Sequence, residues 1–250
     1  MRPSASDPDA EDQDRLKSEL VATVSHEMRR PLTAILGFTQ TLRTRWESLP
    51  NQLRGELLER VEQNAEAMSH MIGQVLDFSR LQLGEFQIDL RPIELEPLVA
   101  RVLGNLGGQI SDHVVRTRGE QDIRALTEPY AFERILGNLV MNAGKFAPPG
   151  TTIEVGWVPE GETVRVWVRD EGPGVPEPDR ERVFERFYRV RRTGPGAGLG
   201  LAVVKELVAL HGGRVWMDSA TSGDESVGAV VSFTLPAAGE SAAEEPATEG

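Results

Sequence analysis

Cysteine is absent from the 250 residues, so no disulfide, thiolate zinc cluster or redox dithiol supports this fold. No apolar run reaches the roughly 20 residues that a membrane-spanning helix needs. The N-terminus also lacks the apolar stretch of a secretory leader. These absences set the expectation of a cytoplasmic protein with no membrane span, regulated by a separate molecule or a segment outside this sequence. Basic charge is short as well: 27 Lys and Arg against 39 Asp and Glu leave a net charge of −12. With no cationic surplus to neutralise phosphates, a nucleic-acid partner is excluded. Residues 1–14 and 237–250 carry part of the acidity and read as disordered extensions.

What is present begins with a helical rhythm. Leu20, Val24, Met28, Pro31, Ile35, Phe38 and Leu42 follow one another at steps of four and three, the spacing of a packed helical seam. At about 100° per residue, His26 falls opposite Val24 and Met28 and projects into water, with Glu27 beside it. Pro31 stands one turn further on, where it removes a backbone hydrogen bond and costs roughly 3 kcal/mol. The first helix is expected over about residues 12–46, followed by a turn at residues 47–51. A second apolar rhythm runs through Leu57, Val61, Ala65, Met68, Ile72, Val75, Phe78 and Leu81. The two helices form a hairpin whose seams suggest a dimeric four-helix bundle, with docking onto the remainder of the chain as the competing use of those faces.

After Leu83-Gly84-Glu85 the period changes. Residues 86–90 alternate like a strand, a helix follows near 94–106, and 108–127 suggest short strands. Residues 129–145 read as a helix. Two alternating runs, 151–158 and 163–170, flank a Pro-Glu-Gly-Glu turn and signal a hairpin. A loop rich in Gly, Pro and Arg spans 171–197, then a helix over 198–210 and strands at 214–218 and 228–235 complete an α/β sandwich. Its sheet should be mixed, largely antiparallel and covered by helices on one face. The domains expected are 15–83 and 84–236.

Three stretches of the second domain carry chemistry. Asn138 and Asn142 stand one turn apart, and an amide oxygen is a hard ligand suited to Mg²⁺. Lys145 is near enough in sequence to reach a phosphate, although the same residues would also make an ordinary polar helix face. Asp170-Glu171-Gly172-Pro173-Gly174 ends a strand in a carboxylate that can accept from an adenine amino group, with glycines that let a ring approach. On its own this is only a turn. Gly194 to Leu201 runs glycines straight into a helix, an anion cradle without the Gly-Lys-Ser/Thr of a phosphate-binding P-loop.

The order and spacing of these stretches, together with Ser25-His26-Glu27, resemble the catalytic core of the two-component sensor histidine kinases over residues 15–235. Ser25 to Leu32 is similar to that family's H-box, Asn138 to Phe146 to its N-box, and Asp170 to Gly174 to its first glycine box. Val183 to Arg189 is similar to its F-box, and Gly196 to Leu201 to its second glycine box. The resemblance implies an ATPase domain of the histidine kinase/gyrase/Hsp90 type behind the hairpin. It also implies autophosphorylation of His26 by ATP, with Glu27 holding the other ring nitrogen. Asn142 would bind Mg²⁺ with Asn138 assisting, Lys145 and Arg189 would offset phosphate charge, and Phe146 would pack on the base. Asp170 would read adenine, while Gly172, Gly174, Gly196, Gly198, Leu199 and Gly200 would shape the pocket and lid. Phe184 and Phe187 would anchor the lid, and Pro31 would let the helix bend. The implied partner is the receiver domain of a response regulator, and the implied assembly a homodimer.

Two departures stand out. Arg30 occupies the position four after His26 where the family commonly has Thr or Asn, which implies weak or absent phosphatase activity. Ala197 stands where Ser or Thr is common, so one hydroxyl contact to phosphate is missing. His70, His113 and His211 are expected to be structural. The alternative reading is an ATP-binding regulatory module, either a serine kinase or a non-catalytic dimeric adaptor.

Overall fold

The computed structural model describes residues 8–190, 197–222 and 225–239. Helix α1 runs Pro8–Arg45, a short 3₁₀ turn covers Trp46–Ser48, and helix α2 runs Asn51–Gln82. The helix starts at Pro8, so residues 8–14 are helical where a disordered lead-in was expected. Residues 1–7 and 240–250 lie outside the described residues. Compact units divide between Asp77 and Phe78, inside α2.

Within the hairpin, Val24 and Leu42 are buried and Met28, Ile35 and Phe38 half-buried, which is the seam face. Pro31 sits inside α1 without ending it. A proline has no N–H, so the carbonyl of Glu27 loses its usual partner in the ladder. Thr33 and Thr39 turn their hydroxyls back onto the carbonyls of Arg29 and Ile35, at 2.8 and 2.7 Å, as threonines on a helix do.

The second unit holds a two-stranded sheet, β1 (Arg91–Glu94) antiparallel to β3 (Arg124–Thr127), and a five-stranded sheet. The five strands are β2 (Val114–Gly119), β4 (Thr152–Glu160), β5 (Thr163–Arg169), β6 (Val215–Ser222) and β7 (Glu225–Pro236), in spatial order β2-β4-β5-β7-β6. Only β2 and β4 pair in parallel, so the sheet is mixed and largely antiparallel, as the alternation predicts. Residues 86–90 are not the expected strand; the pairing segment follows them, at Arg91–Glu94. Phe86 instead stacks on Tyr130, with ring centroids 6.2 Å apart.

Helices α3 (Leu95–Leu106), α4 (Pro129–Phe146) and α5 (Gly200–Leu210) bury their apolar stripes together with the inner sheet face. Val164, Val166, Val168, Phe233 and Leu235 supply that face, and Phe132 meets Phe233 with centroids 6.1 Å apart. The start of α4 is written in the sequence: Glu128 accepts from the amides of Tyr130 and Ala131, and Pro129 needs no partner at the first helical position. His211 closes α5 in the core, its Nδ1 2.7 Å from the carbonyl of Leu207 and its Nε2 3.0 Å from the Thr127 hydroxyl. Burial holds its pKa below the usual histidine range, so it is a neutral structural group.

Candidate active site

In the hairpin, the side chain of His26 is 70% exposed and that of Glu27 only 5%. Neighbouring helix positions point about 100° apart, which separates a wet imidazole from a buried carboxylate. His26 Nδ1 lies 3.7 Å from Glu27 Oε1, a near approach longer than a hydrogen bond. Arg30 Nη1 lies 3.9 Å from the same oxygen. Nδ1 is thus the ring nitrogen that approaches the acid.

The other site is built at the ends of α4 and β5. Asp170 is half-buried, and its Oδ1 accepts from the amides of Gly172 at 2.8 Å and Ala229 at 3.3 Å. Both donors converge on one oxygen, so Oδ2 remains for a ligand. Burial raises the pKa of this carboxyl above the ordinary aspartate value, partly offset by those two amides. Gly172 is necessary here because a Cβ would stand 2.8 Å from Asp170 Oδ1 and 3.2 Å from the Phe146 carbonyl. The last residue of α4 therefore abuts the glycine turn. Phe146 itself is 52% exposed, with Lys145 Nζ 4.7 Å from its ring centroid. Asn142 is half-buried one turn before Phe146.

Gly228 was not foreseen by the sequence reading. It has φ +88°, and a Cβ on it would fall 1.8 Å from the Asp170 carbonyl oxygen. Its own carbonyl limits Gly174, whose added Cβ would meet it at 2.9 Å. The start of β7 thus clamps Asp170 from behind, and Asp170 N donates to Ala229 O at 3.0 Å. The only signal for this in the chain is a glycine within a strand pattern.

A second group of contacts forms around the segment entering α5. Phe187 N donates to Gly198 O at 3.0 Å, and Gly198 has φ +69° with the Phe187 backbone 2.9 Å from where its Cβ would be. Phe187, at φ +60°, takes the left-handed conformation rare for an aromatic residue. Phe184 is buried, Arg186 pairs with Glu206 of α5 at 3.2 Å, and Tyr188 donates to Asp179 at 2.5 Å. Arg189 is half-buried and Gly200 is the first residue of α5. Gly196, together with Arg191 and Arg192, lies outside the described residues.

Two of the residues expected at the nucleotide are buried. Leu199 is fully buried at the entry to α5 and packs in the core. Asn138 is 1% exposed, its amide donating to the Arg134 carbonyl at 2.7 Å, so it does not share the half-open setting of Asn142.

Among the described residues no three His, Cys, Asp or Glu side chains gather to hold a metal. The one amide oxygen that Asn142 offers would suit a cation such as Mg²⁺ that retains much of its hydration. An acid with one oxygen free, glycine turns packed closely behind it and a helix ending in an exposed Phe describe a candidate nucleotide site in an α/β sandwich. It follows a helical hairpin that displays one histidine.

Comparison with known proteins agrees. Residues 16–84 match the His Kinase A (phospho-acceptor) domain, and residues 127–239 match the histidine kinase-, DNA gyrase B-, and HSP90-like ATPase. The chain belongs to the sensor histidine kinases. It is 32% identical over 236 residues to the sensor histidine kinase WalK of Bacillus subtilis, covering 90% of this chain and 38% of WalK. It is similar to full-length ShkA solved with AMPPNP, with 30% identity, a TM-score of 0.59, and coverage of 87% of this chain and 45% of ShkA. ThkA, solved in complex with the response regulator TrrA, shares the fold: the TM-score is 0.61 at 23% identity, over 90% of this chain and 63% of that one. The chain spans about half or less of the length of the curated relatives compared. No helix among the described residues is long and apolar enough to cross a membrane.

Proposed function

We propose that this chain is the catalytic core of a histidine kinase that phosphorylates its own His26 from ATP. The observation that carries the reading is the pairing at the hairpin: an exposed imidazole whose Nδ1 faces a buried carboxylate 3.7 Å away. In the Nδ1–H tautomer, Nε2 holds a free lone pair. That pair attacks the γ-phosphorus, the bond from phosphorus to the β,γ-bridging oxygen breaks, and ADP leaves with those electrons. The ring becomes cationic and Glu27 takes the Nδ1 proton, leaving a phosphohistidine whose ring is uncharged and whose phosphoryl group is anionic.

In the nucleotide site, Asp170 Oδ2 accepts from the adenine amino group and Phe146 covers the base. Lys145 and Arg189 would offset phosphate charge, and Asn142 would offer one oxygen to a Mg²⁺ ion, which would add to that neutralisation. Gly198 and Gly200 would shape the segment over the nucleotide. Phosphate on His26 then passes to an aspartate of a response-regulator receiver domain. The phospho-acceptor match over residues 16–84 and the H-box around His26 support this partner. Arg30 cannot accept a hydrogen bond from water, so robust dephosphorylation of the regulator is not expected.

Incubation with γ-labelled ATP and Mg²⁺ tests the reading. Wild type should acquire acid-labile label and His26→Gln none. Acid-stable label, or no label with nucleotide bound, would leave a serine kinase or an adaptor respectively.

A further inference from the structure

We propose that Arg30 holds the phosphoryl group once it is on His26; this rests on the reading of His26 as phospho-acceptor. Residues four apart on a helix lie on one face, and helical side chains lean toward the N-terminus. Arg30 therefore leans back toward His26. Both side chains are open to solvent, 56% for Arg30 and 70% for His26. Both approach the same oxygen, Glu27 Oε1, at 3.9 and 3.7 Å. His26, Glu27 and Arg30 thus form one cluster with the reactive Nε2 on its outer side.

In the resting form, the contact with Glu27 is the only ion pair of Arg30 among the described residues. At 3.9 Å and more than half exposed, it is a weak tie. A phosphoryl group on Nε2 places about two negative charges within reach of the same guanidinium. Its planar fork matches two phosphoryl oxygens, and a doubly charged partner outcompetes a distant carboxylate. Arg30 then moves from Glu27 to the phosphate, which frees Glu27 Oε1 for the Nδ1 side of the ring. The residue stabilises the product of the first step, and so shifts the balance between ATP and phosphohistidine.

That balance can be read directly. The purified chain is incubated with Mg²⁺ and labelled ATP and ADP at a fixed ratio until labelling is constant, and the plateau gives the equilibrium constant. For Arg30→Gln the constant should fall about two- to fivefold, the range expected for an exposed charge pair. Arg30→Lys should retain part of the effect, and added salt should narrow the difference. A role limited to helix packing or nucleotide encounter alters how fast the plateau is reached, not its height. Equal plateaus for wild type and Arg30→Gln overturn the proposal while leaving His26 as acceptor. Absence of label from wild type instead overturns the parent reading, and this one with it.

Discussion

Asp170 has two oxygens in different circumstances: Oδ1 is tied to the amides of Gly172 and Ala229, and Oδ2 is open. A base-reading role needs the ionised form, which accepts but does not donate. Because burial raises the carboxyl pKa, acidification should begin to weaken nucleotide binding at a higher pH than for a solvated aspartate. Asp170→Asn should bind ADP about ten- to hundredfold more weakly near neutral pH, the loss expected for a charge-assisted bond, and show less of this acid limb. Titration calorimetry across pH checks both. The stability sign is opposite. A carboxyl whose folded pKa is raised binds its proton more tightly in the fold, so the fold loses stability as pH rises from the ordinary value through the raised one. Asp170→Asn should therefore unfold no earlier than wild type at neutral pH while binding nucleotide poorly. Asp170 and Asn142 were legible as residue types at telling spacings. The burial of Asn138 and Leu199 was not, because a motif fixes chain position while exposure is decided by what packs on top.

At the scale of elements, β7 does more than complete the sheet. Its Gly228 is held at φ +88° against the Asp170 backbone, where any side chain collides. Gly228→Ala should displace Asp170 and lower ADP affinity by more than about tenfold, combining a strained φ with a steric clash, while circular dichroism reports a retained fold. Unchanged affinity would show that the strand does not position the acid. The helices were readable from periodicity and caps, as α4 illustrates with Glu128 and Pro129 at its start. The short strands were harder. Residues 86–90 alternate convincingly, yet a strand requires a neighbour to pair with, and β3 pairs with 91–94 instead. Local pattern carries no information about that partner.

For the molecule as a whole, the hairpin leaves Val21, Leu36, Leu58 and Leu76 at least half exposed, at 65%, 60%, 50% and 54%. Apolar rows of this extent mark an interface, which supports the proposed homodimer. In a two-fold assembly one substitution acts twice. With roughly 2 kcal/mol for each buried leucine, Leu36→Asp should raise the dimer dissociation constant by about a hundredfold or more. Sedimentation at micromolar concentration should then show monomer where wild type is dimeric. A wild type that sediments as a monomer would instead leave those rows to another partner.

The scarcity of acidic ligands around the nucleotide cleft has a physiological corollary. Among the described residues there is no carboxylate cage, and a site of that kind has little affinity for the free divalent ion, so under the proposed function the ion would arrive already chelated by the nucleotide phosphates. Catalysis should accordingly follow the cellular concentration of the magnesium–ATP chelate and ignore swings in uncomplexed magnesium, making energy charge rather than mineral supply the quantity this cleft samples.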